Sequence, residues 1–206
     1  INRIHDEIDC LVELNQKEIA FLALKSNASR NAKQSVIETF LEQILKDFGN
    51  DEGLIPYSIE FYCRIDGNQL IDAIEICLGY CPEEPIMPNT TFPKMLKFAR
   101  ELVLILLNTF PNHKEVLYFA AMIKFLCAEI GSAFNIINRC LQYDSNYLNA
   151  HLLMARISIY DENYRTANIC LENALALDFQ IRENISYILA RAAILKNEQN
   201  YREALN

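Results

Sequence analysis

Apolar residues recur at helical spacing along almost all of this 206-residue chain, and strand-like alternation is nearly absent. Ile4, Ile8, Leu11 and Val12 form one stripe; Ile19, Leu22 and Ala23 continue on a second helix, before a polar turn at 26–31. Val36, Ile37, Phe40, Leu41, Ile44 and Leu45 make a strong third stripe that ends near Gly49. Pro56 suits the first turn of a short helix reaching Arg64. Asp66-Gly67-Asn68 reads as a turn, residues 70–80 as a helix and residues 94–108 as another. The pattern predicts an all-α protein.

Residues 81–93 break the pattern. They read CPEEPIMPNTTFP, and Pro82, Pro85, Pro88 and Pro93 forbid a continuous helix, because proline lacks the amide donor and clashes with the preceding turn. We read the segment as a surface excursion between helices, with Thr90 or Thr91 near the cap of the helix that follows Pro93.

After Pro111 the sequence repeats itself. Ala121 and Ala155 stand 34 positions apart, as do Ala133 and Ala167, Ile137 and Leu171, Leu141 and Leu175, and Asp144 and Asp178. A helix–turn–helix period of 34 is the tetratricopeptide signature. Two helices that cross closely need small side chains at the crossing, a role that fits Ala121, Ala133, Ala155 and Ala167; Ala174 packs between helices, and Ala192 and Ala204 belong to the next repeat. Leu117, Leu141, Tyr143, Tyr164, Leu175 and Leu177 are expected to fill the space between helices, and Asp144 and Asp178 to sit in the turns between repeats. The expected fold is a right-handed superhelical solenoid of such repeats. Residues 1–80 form degenerate repeats, 81–93 the proline-rich insertion, and 94–206 the clearer repeats. Of these, 112–145 and 146–179 are the clearest, and a further one begins at about 183–206, displaced by three residues. The chain stops at Asn206, one turn into a second helix, as expected for a piece of a longer solenoid.

Composition narrows the function. The net charge of −8, without a basic stripe, argues against nucleic acid. No apolar run is long enough to span a bilayer, and the charged residues of 1–14 do not read as a signal peptide. The seven cysteines are scattered; Cys127, Cys140 and Cys170 sit inside apolar helical patterns, which suits small buried residues in a reducing cytosol. Cys77 and Cys81 lie four apart, but a zinc site needs two more ligands and no histidine is near in sequence. Nucleotide-binding glycine loops, a nucleophile elbow and a zinc-protease motif are all absent, and His5, His113 and His151 stand alone. We therefore expect no enzyme activity, no cofactor and no metal.

The concave groove of such repeats is lined by each first helix, where the 34-residue frame places Glu115 and Asn149 together with the candidate groove residues Tyr118, Met122, Phe125, Leu152, Arg156 and Ile159. Arg156 is the only basic residue among them, too few for a clamp on a C-terminal carboxylate. The face is apolar and suits a helix from a partner or from the same chain; ordinary packing within a tight superhelix explains it equally well.

The order of segments carries a resemblance. Glu52-Gly53-Leu54 precedes Ile59-Glu60-Phe61-Tyr62; then come Ile74-Glu75-Ile76-Cys77-Leu78 and Tyr80-Cys81-Pro82. Ala120-Ala121-Met122, Ala133-Phe134-Asn135, Arg139-Cys140-Leu141 and Asp144-Ser145-Asn146-Tyr147 follow, leading into Asn149-Ala150-His151-Leu152-Leu153-Met154-Ala155. From about Asp51 onward the succession resembles the tetratricopeptide repeat protein 21 family, the large repeat subunit of intraflagellar transport complex A. One departure is Cys127-Ala128-Glu129, where a glycine-containing turn is usual. The resemblance implies a long non-catalytic solenoid on ciliary transport trains, serving retrograde transport and ciliary entry of membrane cargo. It implies partners among the other subunits of that complex, namely WD-repeat and tetratricopeptide proteins and a small subunit. It also implies a place in the cytoplasm and the cilium, at basal body and axoneme. A generic cytosolic adaptor of the co-chaperone or ubiquitin-ligase kind, binding a peptide or helix, is the alternative.

Overall fold

The computed structural model of the chain describes residues 67–87 and 90–197. The helices read in 1–64, as well as Tyr201 and Ala204, lie outside the described residues. The chain divides into two compact units, Ile1–Tyr80 and Cys81–Asn206.

In the first unit, α1 spans Gly67–Gly79. Gly67 and Asn68, read as a turn, already belong to it. Leu70, Ala73, Ile74 and Cys77 follow i, i+3, i+4, i+7 spacing, and all four are buried.

Among the described residues of the second unit, six α-helices follow the proline-rich segment: α2 (Lys94–Thr109), α3 (Lys114–Leu126), α4 (Ile130–Tyr143), α5 (Leu148–Tyr160), α6 (Tyr164–Leu177) and α7 (Ile185–Asn197). A 3-10 turn, Phe179–Glu183, precedes α7. Consecutive helices pack on one another, and α5 also packs against α3 and α7, two positions away in the chain. This is the connectivity of stacked helix pairs. The described residues contain no strand.

The period sets the element boundaries. Helices α3 and α5 begin 34 residues apart, as do α4 and α6. Helix α7 begins 37 residues after α5. The extra length is taken up by the 3-10 turn, anchored by buried Ile181.

Ala121, Ala133, Ala155, Ala167 and Ala174 are all fully buried. Ala192 is half-buried. Leu117 is buried, whereas Leu141, Tyr164 and Leu175 are half-buried. Tyr143 and Leu177 differ from expectation and are exposed. They are the last residues of α4 and α6. The buried stripe of α4 ends at Cys140 and that of α6 at Ala174, one turn short of these two residues.

The turns inside the two full repeats are superimposable in bonding. Ala128 and Glu162, 34 positions apart, hold left-handed φ angles of 60° and 58°. Around them the Glu129 amide donates to the Lys124 carbonyl at 2.9 Å, and the Asn163 amide to the Ser158 carbonyl at 2.8 Å. These six-residue closures satisfy carbonyls that a helix end leaves bare. They explain why glycine is usual there: Ala128 adopts a conformation that glycine holds without strain.

Candidate functional site

The proline-rich segment is more than a surface excursion. Its Ile86 amide donates to the Leu126 carbonyl at 2.9 Å, completing the bonding at the end of α3. Its Glu83 carbonyl accepts from the Arg156 guanidinium on α5. Two backbone groups of an irregular segment thus tie it across the ends of two first helices. Thr90 does not cap α2: its hydroxyl donates to the Met87 carbonyl at 2.7 Å. Pro93 occupies the cap position of α2, with no side-chain hydrogen bond there, and no cap bond from Thr91 is present.

Between this segment and α7 lies a cavity of about 740 Å³. Glu83, Glu84 and Pro85 form one wall. Phe125, Arg156, Ile159 and Tyr160 contribute from α3 and α5. The opposite wall comes from α7, chiefly Ile185, Leu189, Ala190 and Ala193. Ile185 is 74% and Leu189 60% exposed, so the α7 side of the opening is apolar and accessible.

Aromatic and cationic contacts hold the floor. The Arg156 guanidinium lies 5.4 Å from the centre of the Phe125 ring, and that ring meets Tyr160 edge-on at 5.8 Å. Arg156 is therefore committed on both sides, to a ring below and to a carbonyl of the excursion. Arg156 is the one guanidinium lining the cavity.

The six groove residues expected from the sequence do not share one site. Phe125, Arg156 and Ile159 border the cavity; Tyr118, Met122 and Leu152 do not. Leu152 is buried, and Met122 is half-buried. Tyr118 sits at the other end of α3, edge-on to Phe119 at 5.3 Å and to Tyr147 at 5.6 Å. Lys114 lies over the Tyr147 ring and pairs with Asp144 at 2.8 Å, so that end is filled by local contacts. Residues at i, i+4 and i+7 share a helix face but run along its length, and only one end of this face opens. Sequence reasoning missed Tyr160, Ile185, Leu189 and the excursion's wall. The i, i+4 pair Ile185 and Leu189 was a usable signal once the three-residue displacement was applied.

Among the described thiols, Cys81, Cys140 and Cys170 are not activated as nucleophiles. Burial pushes Cys140 and Cys170 up to about 11, and burial together with neighbouring Cys127 does the same to Cys81. All three are protonated near neutral pH, the weakly nucleophilic form. His151 is buried, with its Nε2 2.9 Å from the Ser145 carbonyl, so that nitrogen carries the proton. His113 begins α3 without a side-chain cap bond, and His5 lies outside the described residues. Among the described residues no group of three His, Cys, Asp or Glu side chains is placed to hold a metal ion. No described helix is long and apolar enough to cross a membrane.

Comparison with known proteins agrees with this architecture. A family model described as the second ARM domain of tetratricopeptide repeat protein 21 matches residues 7–162. Among curated proteins, tetratricopeptide repeat protein 21B of Xenopus laevis is 25% identical over 211 residues, covering 100% of this chain. The 21B protein of Homo sapiens is 27% identical over 206 residues, again covering 100% of the chain. The 21A protein of Mus musculus is 28% identical over 183 residues, covering 89%. The chain spans only 16%, 15% and 14% of the length of these three relatives.

Proposed function

The chain belongs to the tetratricopeptide repeat protein 21 family, and on that premise we propose that it is a non-catalytic scaffold segment of an intraflagellar transport complex A subunit. In that role it supports retrograde ciliary transport and ciliary entry of membrane cargo through contacts with the complex's other subunits. Those partners are WD-repeat and tetratricopeptide proteins and a small subunit. The protein then resides in the cytoplasm and cilium, at basal bodies and on axonemal trains. The family match over most of the chain carries this reading. The cavity beside α7, with its exposed apolar residues Ile185 and Leu189, supports it, because such a surface fits a protein partner.

The test is to recover the full-length protein from ciliated cells and identify what accompanies it by mass spectrometry. Subunits of the transport complex in stoichiometric amounts support the scaffold. Chaperones or ubiquitin-ligase subunits in their place overturn it in favour of a generic adaptor.

A further inference from the structure

We propose that the cavity is a composite docking cleft, walled on one side by the chain's own proline-rich segment, and that its occupant is a partner's amphipathic helix carrying lysine or arginine beside its apolar stripe. This deepens the scaffold reading by naming the chemistry of what is held.

The apolar stripe follows from the lining. Ile159, Ile185, Leu189, Ala190 and Ala193 line the cavity, and Ile185 and Leu189 keep most of their surface in contact with water. Covering such residues is favourable in proportion to the apolar area removed from water. A helix suits this lining better than an extended peptide. An extended chain must find partners for its own amide and carbonyl groups, whereas a helix satisfies them internally.

The basic flank follows from the charges. Glu83 and Glu84 line the cavity and are exposed. Asp161 and Glu162 directly follow the lining residue Tyr160, and Glu183 directly precedes Asn184; these three are exposed too. Among the described residues the ion pairs are Lys114–Asp144 and Lys124–Glu129, so none of these five carboxylates is engaged in one. The neighbouring cations are committed: Arg156 to the Glu83 carbonyl and Phe125, Arg182 to the Phe179 ring, Arg191 to the Asn168 side chain at 2.6 Å. Those contacts are to neutral groups and leave the guanidinium charges in place, but among the lining residues two carboxylates, Glu83 and Glu84, stand against one guanidinium, Arg156, so the lining is net negative and complements a basic helix.

The segment is a wall rather than a temporary occupant. Ile86 and Glu83 hold it through backbone groups at Leu126 and Arg156, and the space between it and α7 stays open.

The experiment is fluorescence anisotropy with the whole 206-residue chain. The probe is a labelled helical peptide of about 18 residues, with leucine at i, i+3, i+4 and i+7 and lysine at the flanking positions. We expect it to bind roughly tenfold or more tightly than the same peptide with glutamate flanks. Glu83→Lys with Glu84→Lys, on exposed positions that leave packing untouched, should reverse that order. Leu189→Asp should weaken the lysine peptide about tenfold or more, with an unchanged thermal melt. Ile86→Pro removes the donor to Leu126 and should weaken binding several-fold if the segment is a wall; tighter binding would show a competitor and overturn the composite cleft. Equal binding of the lysine and glutamate peptides overturns the charge argument. Tighter binding of a proline-rich extended peptide overturns the helix. If the peptide result fails while complex subunits still co-purify with the full-length protein, only this inference falls. If the peptide binds but those subunits do not co-purify, the scaffold reading falls and the cleft stands.

Discussion

The repeat at 112–145 and the repeat at 146–179 share a frame and differ in what fills it. Ala121 matches Ala155, Ala133 matches Ala167 and Ile137 matches Leu171, and all six are buried. The left-handed turn residues, Ala128 and Glu162, match as well. Elsewhere the two diverge. Buried Leu117 corresponds to buried His151, and half-exposed Lys124, which pairs with Glu129, corresponds to fully buried Ser158. His151 Nδ1 and Ser158 Oγ are both buried without a hydrogen-bond partner. Helix α5 packs against α3, α4, α6 and α7, and its buried residues run from Ala150 to Ser158 with only Arg156 outside the set. The lesson is that the fold is specified by a few small and conformationally special positions. The positions between them tolerate a polar atom at an energetic cost that the rest of the packing offsets.

The largest expected effect tests whether the frame is truly shared. Ile137→Ala and Leu171→Ala each remove a fully buried branched side chain at equivalent positions. Each should cost about 2–5 kcal/mol in chemical denaturation, through lost transfer energy plus the cavity left behind. Similar losses sharpen the equivalence. A loss confined to one variant would break it.

Ser158→Ala probes the main difference. The hydroxyl is buried and unpaired, and alanine also favours the helix. The variant should gain about 1 kcal/mol, toward the lower end of the penalty for an unsatisfied buried group. A loss of stability in the denaturation curve would mean that the hydroxyl has a partner in solution.

The shared frame was legible in the sequence because it rests on side-chain size and spacing. A period of 34 and a pair of matched alanines locate helices without knowledge of their neighbours. The excursion's return was not legible. Four prolines say where a helix cannot run, yet the contact that ties Ile86 to Leu126 joins two backbone groups and leaves no residue signature. Arg156 was singled out, but as evidence against a carboxylate clamp; its actual partner is a main-chain carbonyl seventy-three residues away in sequence. The groove was half legible for a similar reason. Periodicity assigns Tyr118 and Phe125 to one face, whereas the aromatic cluster with Tyr147 fills one end and the cavity opens the other.

A smaller effect is expected at the turns. Ala128 and Glu162 hold backbone angles that cost an L-residue about 1–2 kcal/mol. Glycine relieves that strain but loses more chain entropy on folding, so Ala128→Gly and Glu162→Gly should each gain about 0.5–1 kcal/mol. Ala128 is half-buried and gives up some packing, so its gain should be the lesser of the two. Paired thermal melts check this. Destabilisation in both would rule out the left-handed turn.

The smallest effect separates the repeats by charge. Asp144 and Asp178 end α4 and α6, and each carboxylate accepts an amide two residues on, from Asn146 at 3.0 Å and from Gln180 at 2.9 Å. Only the first repeat adds an ammonium: Lys114 pairs with Asp144 at 2.8 Å, while Leu148 stands at the matching position of the second. The hydrogen bond from Lys114, followed by that from the Asn146 amide, holds the Asp144 carboxyl below its ordinary range. The same pairing raises Lys114. A depressed carboxyl contributes stability above its unfolded pKa of about 3.9, and that contribution is lost as pH falls through the lower folded value. A raised ammonium contributes below about 10.4 and is lost as pH rises through its higher folded value. The pair therefore helps between those limits and weakens at both ends. Both groups face solvent, so the effect on melting should be slight and should shrink further in salt of about 1 M. The sharper readout is an NMR titration of the Asp144 carboxyl carbon. Its midpoint should lie below that of an unperturbed aspartate and move upward in Lys114→Met. An unmoved midpoint would show that the amide of Asn146 alone sets it, and the electrostatic distinction between the two repeats would vanish.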